Sequence, residues 1–322
     1  MVCSHFHYQI RAFQTKILTA TCNEQSINNI TYFVNPDFPD LTEGMSSCNL
    51  ELRKIDEDIT QLRLDFVHFN LGQPNRKTGV CEEDYFQLSS GDSQTLTICG
   101  VNSGQHVYFD IETMADPITI SMKLGSKTLS RLWEVRIIQV PFSQRAPAGC
   151  LQLYTGRRGV IKTMNFADNG RHLANQEYNI CIEQAEDMCS IVYEPCYENA
   201  FRISPNTADV NIDSNNELGS GDDLEDESNI IQNDSGEFCN DKIVIPCNPE
   251  DLILEGDQVL SDICQTIHCG RSLCPAEQDP CRIESNIIPF TIGVHFGQSL
   301  GEESPEDNLG MCVNYEQQPC NF

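Results

Sequence analysis

Apolar residues recur along this chain at every second position. Leu62, Leu64 and Phe66 alternate with polar residues, as do Ile118, Ile120, Met122 and Leu124, and then Trp133, Val135 and Ile137. Tyr178, Ile180 and Ile182 repeat the pattern, and Phe290, Ile292, Val294 and Phe296 carry it again near the end. Period two places one face of a strand against a core and the other against water, and no stretch carries a persuasive helical stripe. Turn formers such as Ser90-Gly91-Asp92 and Asn102-Ser103-Gly104 stand between the strands. Many short strands with such punctuation predict an all-β fold, either a sandwich or a barrel.

A chain of 322 residues is long enough for two cores of ordinary size. The best boundary is the stretch from Pro141 to Gly149, where two prolines deny ladder hydrogen bonds and the other residues are mostly small or polar. The expected organisation is a poorly ordered N-terminal segment over 1–21, a first domain over 22–141, a linker over 142–149 and a second domain over 150–320. Between Asp209 and Glu237 there are ten acids and no lysine or arginine, so residues from about 207 to 237 are expected to form a disordered acidic insertion in the second domain.

Seventeen cysteines set the compartment. At that density thiols are a liability in reducing cytosol and become structural cross-links on a secretory route, so the chain is expected to be extracellular. Residues 1–21 show no signal-peptide core, because Arg11, Gln14, Thr15 and Lys16 interrupt each apolar run, and the start reads as incomplete or wrongly assigned. No segment approaches the length and apolarity of a membrane span. Five cysteines precede the boundary and twelve follow it, which leaves Cys3 as the natural orphan. The formal charge of -28 opposes nucleic acid and anionic lipid as partners and favours a basic protein or a divalent cation, although it also serves solubility alone.

Cys22 and Cys48 bracket Val34-Asn35-Pro36-Asp37-Phe38-Pro39, and are followed by Leu64-Asp65-Phe66-Val67-His68-Phe69, Cys81-Glu82-Glu83-Asp84 and Cys99-Gly100. In this order and spacing the first domain resembles the CUB module, an extracellular β-sandwich. The second domain repeats the pattern less tidily, with Cys150, Cys181 after Glu177-Tyr178-Asn179-Ile180, Cys239-Asn240-Asp241 and Cys269-Gly270. Three longer stretches, Gly100–His106, Arg145–Leu151 and Asn169–Gln176, resemble a group of arthropod secreted CUB-domain proteins. The resemblance covers roughly residues 20–320 and implies fold and compartment far more than activity. It implies four disulfides: Cys22–Cys48, Cys81–Cys99, Cys150–Cys181 and Cys239–Cys269. The other eight second-domain cysteines stay unassigned.

The resemblance also raises calcium, which needs six to eight hard oxygens. Asp84 matches one ligand of the family's site, but the loop over 70–77 has no acid and the loop over 125–131 is basic, so Asp84 is expected to be a turn former. In the second domain Asp241 matches, and Glu302 and Glu303 supply acids in the late loop, which makes these three the candidate calcium ligands. Cys264, Cys269, Cys274 and Cys281 with His268 lack common zinc spacings and are expected as disulfides. No catalytic constellation emerges: Ser90–Ser93 and Asp234–Gly236 lack the glycines of an oxyanion hole, and no His-Glu-x-x-His is present. Asn29 and Asn233 are N-glycosylation acceptors, and Ser220 in its acidic setting resembles a glycosaminoglycan attachment site. Trp133, Tyr178 and His172 are expected as core or strand-pairing positions. The leading expectation is a non-catalytic extracellular protein-binding or scaffold protein; the alternatives are an accessory region of a secreted protease and a glycosylated matrix component.

Overall fold

The computed structural model describes residues 17–89, 95–111, 117–125, 128–168, 170–203, 231–232, 238–247, 265–275, 278–297 and 308–320. Cys3, Ser220, Asn233, Cys264, Glu302 and Glu303 lie outside these residues, as do Ser90–Ser93 and most of the acidic insertion.

The first module runs β1 (Ile17–Ala20), β2 (Glu24–Ser26), β3 (Ile30–Val34), β4 (Ser47–Leu52), β5 (Ile59–Asn70), β6 (Asp84–Ser89), β7 (Thr95–Ile98), β8 (His106–Asp110), β9 (Ile118–Leu124) and β10 (Leu132–Pro141). They form two five-stranded sheets, β1-β3-β10-β5-β8 and β2-β4-β9-β6-β7. The second module runs β11 (Cys150–Tyr154), β12 (Arg158–Lys162), β13 (Gln176–Ile182), β14 (Met188–Pro195), β15 (Phe201–Arg202), β16 (Ile231–Gln232), β17 (Phe238–Cys239), β18 (Lys242–Val244), β19 (Ile267–His268), β20 (Ile283–Ser285), β21 (Phe290–Phe296) and β22 (Gly310–Pro319). Its sheet β11-β13-β21-β18-β19 repeats the order of β2-β4-β9-β6-β7, and β12-β22-β14-β20 repeats that of β3-β10-β5-β8, with no counterpart to β1 among the described strands and with β15 also pairing to β22. Most pairings are antiparallel, but β1 with β3, β2 with β4 and β11 with β13 run parallel. Within the stretch expected to be an unstructured insertion, Ile231 and Gln232 pair with Cys239 and Phe238.

The alternation works as read, with Leu62, Leu64, Trp133, Val135 and Ile137 fully buried. One spacing needs an explanation. Phe66 and Phe69 are three apart, which in a regular strand puts them on opposite faces, yet both are fully buried. Across from them Val135 pairs with Phe66 and Glu134 with His68, leaving Val67 as an extra residue. That β-bulge restores the inward phase, so the rings of Phe66 and Phe69 meet at a tilt, 4.7 Å apart, beside Phe86.

The expected linker is not a bare tether. Phe142–Gln144 forms a turn of 3-10 helix, Ala146 is buried, and its N–H donates to Gln61 Oε1 at 2.9 Å.

Candidate functional site

Asp84 opens β6 next to the Cys81–Cys99 bridge, with both carboxylate oxygens turned inward. Arg131 Nε lies 2.6 Å from Oδ2 and Nη2 2.8 Å from Oδ1, a two-pronged pair in which both side chains are fully buried. The amides of Gly72 and Gly125 donate to the same oxygens at 3.1 and 3.0 Å. Burial pulls the Asp84 carboxyl upward, but the hydrogen bonds and charge of Arg131 and those two amides outweigh it and hold the group below the usual carboxylate range. Asp84 is therefore more than a turn former: it anchors a buried ion pair. A divalent cation there would find one carboxylate, already engaged and already balanced by a guanidinium, so these residues do not fit calcium.

In the second module Asp241 stands one residue before β18, the counterpart of β6. Its Oδ1 accepts from Gly297 N–H at 2.7 Å, and its Oδ2 lies 3.3 Å from His172 Nε2. The same nitrogen is 2.9 Å from Ile203 O and 3.1 Å from Asn308 Oδ1, and the imidazole stacks on Phe296. Asp241 and His172 are both buried. Of the three candidate calcium ligands only Asp241 is described, and no group of three or more His, Cys, Asp or Glu able to hold a metal occurs among the described residues.

Seven bridges are fully described. Cys22–Cys48, Cys81–Cys99, Cys150–Cys181 and Cys239–Cys269 sit at matching places in the two modules. Cys189–Cys320, Cys196–Cys312 and Cys274–Cys281 belong to the second alone. With Cys269 and Cys274 in disulfides, the former zinc candidates hold no thiol pair among the described residues. Burial also pushes the neighbouring His268 imidazole down to about 4. Asn29 is half-buried, and Thr31 of its sequon is buried with Oγ1 2.7 Å from Ser26 Oγ.

The richest polar constellation was not visible in the sequence. β8, an edge of one first-module sheet, runs beside β11, an edge of a second-module sheet. His106 Nε2 is 2.9 Å from Leu153 O, and Gln152 Nε2 donates to His106 O and to Gln105 Oε1, both at 3.2 Å. Behind this edge contact Asn165, fully buried, accepts from Val101 N–H at 2.8 Å and donates to Gln73 Oε1 at 2.9 Å. Its own amide reaches Asn102 Oδ1 at 2.7 Å. Arg171 Nη1 donates to Arg76 O at 2.6 Å and Ala174 N–H to Gly79 O at 2.9 Å. Burial, followed by the Arg63 charge, holds the His106 imidazole below its ordinary value. Gly100–His106, Arg145–Leu151 and Asn169–Gln176, the stretches carrying the narrower resemblance, each place residues on this seam. Trp133, Tyr178 and His172 are buried, with Trp133 and Tyr178 in strands.

Among solved structures the chain is similar to the CUB1-EGF-CUB2 domains of rat MASP-1, with 13% identity over 92% of this chain and 99% of that chain at a TM-score of 0.30. It is similar also to the CUB1-EGF-CUB2 domain of human MASP-1/3, with 17% identity over 90% of this chain and 100% of that one at a TM-score of 0.28. The full extracellular region of zebrafish Gpr126/Adgrg6 matches at 10% identity over 91% of this chain and 36% of that chain, with a TM-score of 0.30. No curated protein matches the chain. The CUB domain family matches residues 22–136 and the animal CUB domain family residues 147–318, so the chain belongs to the CUB family and carries two of its domains in tandem.

Proposed function

We propose that this chain is an extracellular, non-catalytic protein-binding unit that presents its two CUB modules as one body. The observation that carries this reading is the seam: buried, hydrogen-bonded polar groups join the modules, so the loops of both contribute to one continuous surface. A buried, hydrogen-bonded polar network fixes a relative orientation in a way that an apolar contact of similar size does not. The disulfide density supports the extracellular assignment. No described helix is long and apolar enough to cross a membrane. An N-glycan on Asn29, and modifications at Asn233 and Ser220, belong to the same reading.

Binding through the first module is expected to need no calcium, because Arg131 already supplies the cation at Asp84. In the second module Asp241, Glu302 and Glu303 are the calcium candidates. The test is capture of partners from extracellular fluid on the immobilised full chain, in calcium and in EDTA. Partners retained in both conditions support the metal-free reading; partners lost in EDTA assign the contact to a second-module metal. No specific capture in either condition overturns the binding function.

A further inference from the structure

Beside the edge contact between β8 and β11 lies a cleft of about 490 Å³, lined by Tyr108 and Asp110 from the first module and by Leu151, Glu177 and His295 from the second. Phe109, Leu96 and Tyr178, all buried, line its inner wall. In β8 the pairing with β5 is antiparallel, and Phe66 N–H donates to Gln105 O while Ile111 N–H donates to Thr60 O. Those bonds fix the alternation. Residues 105, 107, 109 and 111 turn their backbone groups to β5, and His106, Tyr108 and Asp110 turn theirs toward β11. The side chain of Gln152 takes the His106 carbonyl, and the Tyr108 and Asp110 backbone groups on that side have no backbone partner among the described residues.

An open edge of this kind is a template for another strand, and proteins commonly blunt it with lysine, proline or a bulge. β8, His-Val-Tyr-Phe-Asp, has none of these. The cleft lining carries two carboxylates, Asp110 and the largely exposed Glu177, and no lysine or arginine.

We propose that this cleft binds an extended, lysine- or arginine-bearing segment of a partner protein, which adds to the β8 edge through the Tyr108 and Asp110 backbone and sets its cations against Asp110 and Glu177. Main-chain bonds supply the geometry and the carboxylates supply the selection. This rests on the protein-binding reading and names the partner chemistry for one part of that surface.

The test uses the full chain and three capped peptides: alternating lysine and valine, the same length with glutamate for lysine, and the lysine peptide N-methylated on alternate amides. Any cationic peptide is drawn to a chain of charge -28, and the methylated analogue has the same charge but lacks the donors. The lysine peptide is expected to bind saturably and to slow hydrogen exchange at the Tyr108 and Asp110 amides. The glutamate and methylated peptides, and the lysine peptide on a D110N/E177Q chain, are each expected to bind at least tenfold more weakly. Equal binding of the lysine and methylated peptides overturns the proposal, as do protection at a different strand, absence of saturable binding, or a second copy of the chain occupying the edge in sedimentation. If D110N/E177Q retains every partner captured by the parent, the cleft is excluded while the binding function stands; loss of capture by the parent removes both.

Discussion

The two modules solve one topology with different materials. The first uses long strands, with β5 of 12 residues and β10 of 10, and an aromatic cluster of Phe66, Phe69 and Phe86; its two bridges are Cys22–Cys48 and Cys81–Cys99. In the second, β15 to β20 are only two or three residues each, and five of the described bridges hold it. Short strands bury little apolar area, and cross-links that restrict the unfolded chain offset the deficit. The same contrast recurs at the matching aspartates. Asp84 is met by a permanently charged guanidinium, and Asp241 by an imidazole and the Gly297 amide. One module is set by a fixed charge in a large core, and the other by covalent staples around a softer polar contact.

The sharpest way to break that contrast is to remove the side chain that faces each aspartate. Arg131→Ala leaves Asp84 as a buried carboxylate with its Gly72 and Gly125 amide donors but no countercharge, and is expected to cost about 3–5 kcal/mol. His172→Ala leaves Asp241 its amide donor and is expected to cost about 1–3 kcal/mol. Urea unfolding of both variants checks the order. Equal losses would mean that the two aspartates are held alike, and the comparison would fail.

Acid separates the modules by a different route. His268, in the second, is kept neutral in the fold with its value near 4, while in the unfolded chain it takes a proton near its ordinary value of about 6.5. Its contribution is fully present above about pH 6.5 and is lost as pH falls toward 4, a loss of about 3 kcal/mol. His106 at the seam shifts in the same direction, so its contribution also falls as pH drops below its ordinary value. Asp84 is depressed, so its contribution is present above about pH 3.9 and is lost only below that value. Hydrogen exchange at pH 7.5 and 5 should show the second module and the seam loosening before the first. Earlier opening of the first module would contradict this account.

Much of the fold was legible because period two and the cysteine order both report local geometry. Leu64-x-Phe66-x-x-Phe69 was recognisable as a motif, but its physical content, the bulge at Val67, appears only when β10 is laid beside it. Four bridges follow the repeated module, whereas Cys189–Cys320 joins positions 131 apart and nothing local announces that these strand ends meet. In the sequence, the basic loop ending at Arg131 weighs against calcium at Asp84. It did not reveal that Arg131 itself fills the place, because burial of a charge is a tertiary fact. The seam was hidden for the same reason. No pattern in the sequence marks Asn165, Gln152 and Gln105 as buried, because the contacts that join them to the other module exist only once the two modules meet.

The smallest predicted effect tests whether the modules truly act together. Gly100 has φ of +78°, and a Cβ there would collide with the Asn165 side chain; Gly104 has φ of +83° with nothing within 4 Å. Alanine at either site carries the left-handed backbone cost, about 1 kcal/mol. Only Gly100→Ala also pushes against the second module. It is expected to lose about 1–2 kcal/mol more than Gly104→Ala through overpacking, with the excess appearing as faster exchange at the Val101 and Asn165 amides. Gly104→Ala serves as the internal reference for backbone strain, so the difference between the two variants isolates the seam. Equal losses and unchanged exchange at Asn165 would show that the seam yields to a methyl group at no cost. The two modules would then be neighbours on a chain, not halves of one binding surface.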